Sequence, residues 1–261
     1  MLLWAGLSVA WCNPWSEPAT ASMNWTALPA GALSAEQALR TYQERALRQL
    51  TTLAGYSDKT TIEAEIPAMA VKGQFSSKRT FSAPQSLDYT ATSFVGDNFV
   101  KTNVIYRLLR SDVERVEKNT ASKVALLERN YKFSYMGIQH LNGRDLYAFA
   151  LKPRHKGTGF FKGNIFIDTQ SGHIVQAMGR LSKSPSWWIK RVEFIQDYRD
   201  FGEFTMPVQF RSVTEARIVG RVVVNIAHAE YEVRSVEQLR SGQEAADDRH
   251  RGPLPGVAVI P

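Results

Sequence analysis

The chain has 261 residues, 44% of them hydrophobic, and a formal net charge of +7. That length suits one large all-β domain or two small ones, and the single cysteine, Cys12, excludes a disulfide framework. Positive charge permits contact with anionic lipid or nucleic acid, but the basic residues are spread along the chain instead of forming a nucleic-acid footprint, so no nucleic-acid partner is expected.

At the N-terminus, Leu2, Leu3, Trp4, Ala5, Leu7, Val9, Ala10 and Trp11 form an apolar run of signal-peptide length. It is far shorter than the roughly 20 residues of a membrane-spanning helix, so the chain is not expected to span a membrane. Ala19-Thr20-Ala21 has the A-x-A pattern of a cleavage site, which predicts a leader over residues 1–21 and a mature start at Ser22. No Lys or Arg precedes the run, a departure from the usual basic start of such leaders, and the bulky Trp11 disfavours Cys12 as a lipidation site. Residues 22–33 read as a loose segment.

Ser34-Ala35-Glu36-Gln37 has capping-box spacing and predicts a helix from Ser34 to about Leu53, stopped by Gly55. Leu39, Tyr42, Ala46, Leu47, Leu50 and Leu53 line one face of it and call for an apolar partner. Strand-like alternation follows, with Met69, Val71, Gly73 and Phe75 on one face, then Leu87, Tyr89 and Ala91. Phe99 to Leu109 fits helix and strand alike, while Ser111-Asp112-Val113-Glu114 repeats the capping-box spacing and predicts a short second helix to about Lys118. Tyr131, Phe133 and Tyr135 open a hairpin that turns at Asn142-Gly143 and returns through Tyr147, Phe149 and Leu151. Strands are then expected at Ile165–Ile167, Ile174–Leu181, Trp187–Tyr198, Phe204–Phe210 and Ile218–His228. Short connections imply an antiparallel meander whose apolar face is covered by the N-terminal helix, a mainly β (α+β) domain over residues 34–236. Residues 237–261 turn polar and proline-bearing and are expected to be a disordered tail.

Catalytic and metal signatures do not assemble. His140, His155, His173, His228 and His250 lack a second ligand at metal-binding spacing, so no metal or other cofactor is expected. Serine-nucleophile motifs are missing too, and the reading is a non-enzyme. What stands out is aromatic. Trp187 and Trp188 point to opposite sheet faces, so at least one meets solvent, a helix or a cavity instead of the same core. Together with Tyr198, Phe204, Met206 and Phe210 they are the candidate lining of an apolar ligand site, against the plainer reading of tryptophans covering a core rim. Lys152, Arg154, Lys156 and Lys162 cluster around a glycine-containing stretch and are candidates for a headgroup or anion contact, against the plainer reading of a solvated loop.

The succession Leu151-Lys152-Pro153-Arg154, Phe161-Lys162-Gly163-Asn164-Ile165-Phe166-Ile167-Asp168, Gly179-Arg180-Leu181, Lys183-Ser184-Pro185-Ser186, Phe194, Tyr198, Phe204 and Pro207 resembles bacterial proteins related to the LolA and LolB lipoprotein-sorting family. The resemblance spans about residues 34–232 and is closest to uncharacterised relatives. It implies a curved antiparallel sheet, an unclosed β-barrel, with the two helices packed on its concave face around a cavity for acyl chains. It also implies a periplasmic or otherwise exported protein that carries or binds a lipid, acyl chain or lipoprotein. An envelope sensor of the same fold, with an envelope protein partner, and an acyl hydrolase are the alternatives. No ligand-contacting residue of the family maps onto a position here.

Overall fold

The computed structural model describes residues 31–239 and 241. The expected leader, residues 22–30 of the loose segment and the tail from 242 onward lie outside them.

Helix α1 (Ala35–Thr52) opens on the expected capping box: the Gln37 N–H donates to Ser34 Oγ at 3.2 Å and the Ser34 N–H to Gln37 Oε1 at 2.8 Å. Ala38 and Tyr42 are buried, with Leu39 and Ala46 packed beside them, whereas Leu47 and Leu50 face outward. Gly55 is not the stop. Leu53 already has extended backbone angles and begins strand β1 (Leu53–Ile66), a strand the sequence reading passed over. In β1, Ile62, Ala64 and Ile66 are buried and alternate with exposed Glu63 and Glu65. Gly55 serves close packing instead, since a Cβ there would stand 2.7 Å from the Phe81 carbonyl oxygen of the next strand.

Strands β2 (Val71–Ser82) and β3 (Ser86–Gly96) continue outward from β1 as a meander. A helical crossover then carries the chain over one face of the sheet. It comprises α2 (Asn98–Val100), a π turn (Lys101–Ile105), α3 (Tyr106–Glu117) and the short α4 (Ala121–Val124). Asp97 caps it by accepting from the Phe99 N–H at 2.7 Å, so Ser111 lies inside α3 and its capping-box spacing starts no helix. Val100, Ile105 and Leu109 supply the buried stripe, and the ambiguous 99–109 segment is therefore helical.

The remaining strands are β4 (Tyr131–Leu141), β5 (Arg144–Pro153), β6 (Phe161–Asp168), β7 (Ile174–Leu181), β8 (Ile189–Phe201), β9 (Phe204–Ala216) and β10 (Gly220–Ser235). They return as a second meander that ends on β1. The result is one ten-stranded sheet in the order β3-β2-β1-β10-β9-β8-β7-β6-β5-β4, antiparallel throughout, with β3 and β4 as free edges, so it does not close. Trp187 and Ile218, expected to start strands, lie in the turns before β8 and β10. Residues 236–239 form a helical turn that takes in the expected start of the tail at 237: the Gln238 N–H donates to Ser235 Oγ at 3.1 Å and the Ser235 N–H to Gln238 Oε1 at 2.9 Å.

Two apolar clusters occupy the helix-bearing face. Under α1, Tyr131, Tyr147, Phe149, Leu151, Phe161, Ile165, Ile167 and Phe194 pack with Ala38 and Tyr42. Under α2 and α3, Ile62, Ile66, Phe75, Val222, Val224 and Ile226 pack with Val100, Ile105 and Leu109. Phe210 touches both.

Candidate ligand cavity

Between α3 and the middle of the sheet lies a cavity of about 900 Å³. Its walls are apolar on the strand side, with Ile62, Val192, Phe210, Val222, Val224 and Ile226, and on the helix side, with Phe99, Val104 and Leu108. Register puts these strand residues on one face: Ile62 pairs with Ile226 and Ile226 with Phe210, Val192 and Val222 both pair with Thr214, and Val224 pairs with Ser212, and Thr214 and Ser212 also line the cavity. The volume falls at the upper end of the roughly 300–1,000 Å³ common for ligand sites. Trp187, Trp188 and Ile218 line its outer rim, and Trp187 and Ile218 are each 77% exposed.

The opposite end is polar, and Asp58, Thr60, Arg79, His228 and Tyr231 there form one hydrogen-bonded network. Arg79 on β2 donates from Nε to Asp58 Oδ2 at 2.7 Å and from Nη2 to the Tyr231 hydroxyl at 2.8 Å. Tyr231 passes its own proton to the Pro207 carbonyl oxygen at 2.6 Å. Thr60 Oγ1 donates to Asp58 Oδ1 at 2.6 Å, and His228 Nδ1 lies 2.9 Å from Thr60 Oγ1 and 3.1 Å from Asp58 Oδ1. Tyr89 donates to Asp112 Oδ2 on α3 at 2.6 Å, which ties the helix to the sheet edge. Burial pushes the Asp58 carboxyl up, but the hydrogen bond from His228, the Arg79 charge and the Thr60 hydroxyl outweigh it and hold Asp58 below the usual carboxylate range. Burial is the main reason that His228 is pushed below its ordinary value; Arg79 lowers it further and the Asp58 hydrogen bond only partly opposes.

Asp58, His228 and Thr60 have the residue types of a catalytic triad but not its wiring. In a triad the acid and the nucleophile engage opposite ring nitrogens, so that one orients the ring while the other loses a proton to it. Here both approach Nδ1, and the threonine proton points at the carboxylate. The cluster is built to be satisfied under an apolar cavity. Among the described residues no group of three or more His, Cys, Asp or Glu is placed to hold a metal ion, and no helix is long and apolar enough to cross a membrane.

Of the six aromatic and methionine candidates, Trp187, Trp188 and Phe210 line the cavity. Tyr198 packs in the neighbouring cluster under α1, where burial pushes its hydroxyl well up. Phe204 and Met206 are buried elsewhere. Asp197 pairs with Gln209 but Tyr198 with Pro207, which leaves Val208 as a bulge, and the extra residue reverses the alternation. Pro207 and Phe210 therefore share the cavity face, while Phe204 and Met206 point the other way; Phe204 borders a small pocket with Phe201, Tyr231, Val233 and Gln238. The expected single face from Phe204 to Phe210 is thus broken by a bulge that period-two counting cannot see.

The basic candidates do not line the cavity. Lys152, Lys156 and Lys162 are exposed on and beside β5 and β6, and Arg154 Nε donates to the carbonyl oxygens of Glu128 at 2.7 Å and Tyr131 at 3.2 Å, pinning the start of β4. The sequence reading missed the helix side, Phe99, Val104 and Leu108, and the polar end. His228 on the apolar side of its strand was the one visible signal of the latter.

No family model matches the chain, and no curated protein matches it in sequence. Solved structures similar to it include a DUF1329 family protein from Desulfovibrio piger, at 11% identity and TM-score 0.40 over 75% of this chain and 92% of that one. A LolA superfamily protein from Nitrosomonas europaea aligns at 11% identity and TM-score 0.37 over 78% and 94%. A domain from Vibrio parahaemolyticus assigned to outer membrane lipoprotein sorting aligns at 10% identity and TM-score 0.39 over 81% and 98%. The last two bear the name of the family that the sequence resembles, but at these TM-scores the likeness carries no functional argument, which has to stand on the cavity itself.

Proposed function

We propose that this protein is a non-catalytic carrier or binding protein for an apolar chain, a lipid or the acyl chains of a lipoprotein, acting in the periplasm or otherwise outside the cytoplasm. The observation that carries the reading is the cavity of about 900 Å³ with apolar walls on both the strand and the helix side. Apolar walls left unfilled forgo contact energy, and each ligand methylene buried there contributes about 0.8 kcal/mol. The alternative of an acyl hydrolase loses ground because the one histidine in the lining is wired through a single nitrogen.

Displacement of a fluorescent fatty acid tests the reading. The parent protein is expected to bind the probe, and Val222→Trp, which puts bulk into the cavity, to abolish binding while the fold melts as before. Phe210→Ala should weaken binding with a stability loss well under the roughly 3–5 kcal/mol of a packed phenylalanine. A parent protein that binds no probe, combined with a full-sized stability loss in Phe210→Ala, would reject the carrier reading.

A further inference from the structure

Three connections meet at the rim of the cavity. They are the turn between β1 and β2 at Pro67–Met69, the loop between β7 and β8 and the turn between β9 and β10. Arg217 brings the latter two together: its backbone N–H donates to the Trp188 carbonyl oxygen and its side-chain Nε to the Trp187 carbonyl oxygen, both at 2.8 Å. The first joins them where Ala68 lies 3.9 Å from the Cβ position of Gly220. Each connection turns one large apolar side chain outward, Met69 at 44% exposed and Trp187 and Ile218 at 77%. Exposed apolar residues scattered singly need no explanation, but three on adjoining tips beside an apolar cavity do.

The charge around them has one sign. From Leu181 to Val192 the chain carries Lys183, Lys190 and Arg191 and no acid, and from Ala216 to Val222 it carries Arg217 and Arg221 and no acid. The nearest carboxylates are matched: Glu193 is paired with Arg191, Glu65 lies opposite Lys72, and Glu215 lies opposite Arg191 and Arg221. Arg107 on α3 is exposed and holds its guanidinium 5.8 Å from the centre of the Trp188 ring. Lys183, Lys190 and Arg217 have no carboxylate partner among the described residues.

We propose that this end of the sheet docks on an anionic lipid bilayer, with Trp187, Ile218 and Met69 entering the headgroup layer and the surrounding lysines and arginines facing its phosphates. Tryptophan suits that depth, having an apolar body and one N–H donor, and basic residues next to it add attraction to anionic lipid that salt weakens. Because Trp187 and Ile218 also line the cavity, docking sets its rim against the bilayer, and an apolar chain passes between the two without crossing water. That last step rests on the carrier reading; the docking itself does not.

Hydrogen exchange of the full chain, with and without vesicles of equimolar phosphatidylethanolamine and phosphatidylglycerol, tests the proposal. Protection is expected at residues 182–190 and 217–219, with none from phosphatidylcholine vesicles. In vesicle flotation, Lys183→Gln with Lys190→Gln should lower affinity roughly 10- to 30-fold, and Trp187→Ser with Ile218→Ser should remove the loop protection while the melting temperature holds. Anionic vesicles that leave the two loops unprotected, or equal protection by neutral vesicles, would overturn it. Loop protection in a protein that binds no fluorescent fatty acid would keep the docking surface and reject the carrier reading; fatty-acid binding without loop protection would do the reverse.

Discussion

The two halves of the inner sheet face are covered by helices in different ways. Under α1 the strands offer large rings, and the helix offers a small residue and a tyrosine, Ala38 and Tyr42, so the surfaces close on each other. Gly172 shows how tightly, since a Cβ there would stand 2.8 Å from the Thr41 Cβ. Under α3 the strand side is mostly valine and isoleucine, with rings at Phe75 and Phe210, and the helix is held at its far end by the Tyr89–Asp112 hydrogen bond. Short side chains opposite a helix fixed at a distance leave a gap. Side-chain size under an otherwise similar helix-on-sheet arrangement thus separates a core from a cavity.

The largest effect expected from this contrast is in the filled half. Phe161 packs with its ring centre 4.9 Å from that of Phe194 and 5.8 Å from that of Tyr131, inside the cluster under α1. Phe161→Ala should cost about 3–5 kcal/mol in denaturant unfolding, far more than Phe210→Ala on the cavity wall. Equal losses at the two sites would mean that the α3 half is packed as a core and the contrast is false.

Next comes the polar end. Arg79 and Asp58 are both buried, and removing one partner leaves a charge with no match. Arg79→Met alone should cost about 3–5 kcal/mol less whatever the Tyr231 hydroxyl recovers by turning elsewhere, and Arg79→Met with Asp58→Leu should regain most of it. Urea melts of the two variants decide this. A double variant as unstable as the single one would show that the network as a whole, not the pairing of its charges, supports the floor of the cavity.

Much of the filled half was legible in the sequence. The capping box at Ser34, the Asn142-Gly143 turn and the alternation through Tyr147, Phe149 and Leu151 are local signals, and the structure uses each of them as read. The open half was legible only in part, because its determinants are not local. Strand β1 hides behind a helix that passes into it at Leu53 without a turn, the Ser111 capping-box spacing is overridden by Asp97 one helix start earlier, and the bulge at Val208 shows only in its pairing with β8. The polar end joins residues from β1, β2, β3, β10 and α3, and the hydrogen bonds between these elements link residues 21 to 170 positions apart, a distance over which no spacing rule operates.

The smallest effect, and the one that reads the polar end most directly, is the pH dependence of stability. His228 is faced by Asp58 and Thr60 from β1, Arg79 from β2, Tyr231 from its own strand and Asp112 from α3. Its folded-state value is lowered from 6.5, so the unfolded chain takes up the proton first. The contribution is therefore complete above 6.5 and is lost as the pH falls through the window between 6.5 and the lower folded value, with a slope of at most about 1.4 kcal/mol per pH unit. Asp58, lowered from 3.8, adds a second loss that begins only as the pH drops below that value. His173 is lowered by burial as well, so His228→Gln should reduce the slope between neutral pH and about pH 5 without abolishing it. Melts of parent and variant across that range carry a sign as well as a size. If His228 were instead a cation paired with Asp58, its folded value would be raised, and the parent would gain stability relative to His228→Gln as the pH fell. A gain of that kind would replace the neutral, burial-dominated histidine with an ion pair and place a second positive charge beside Arg79 at the polar end of the cavity.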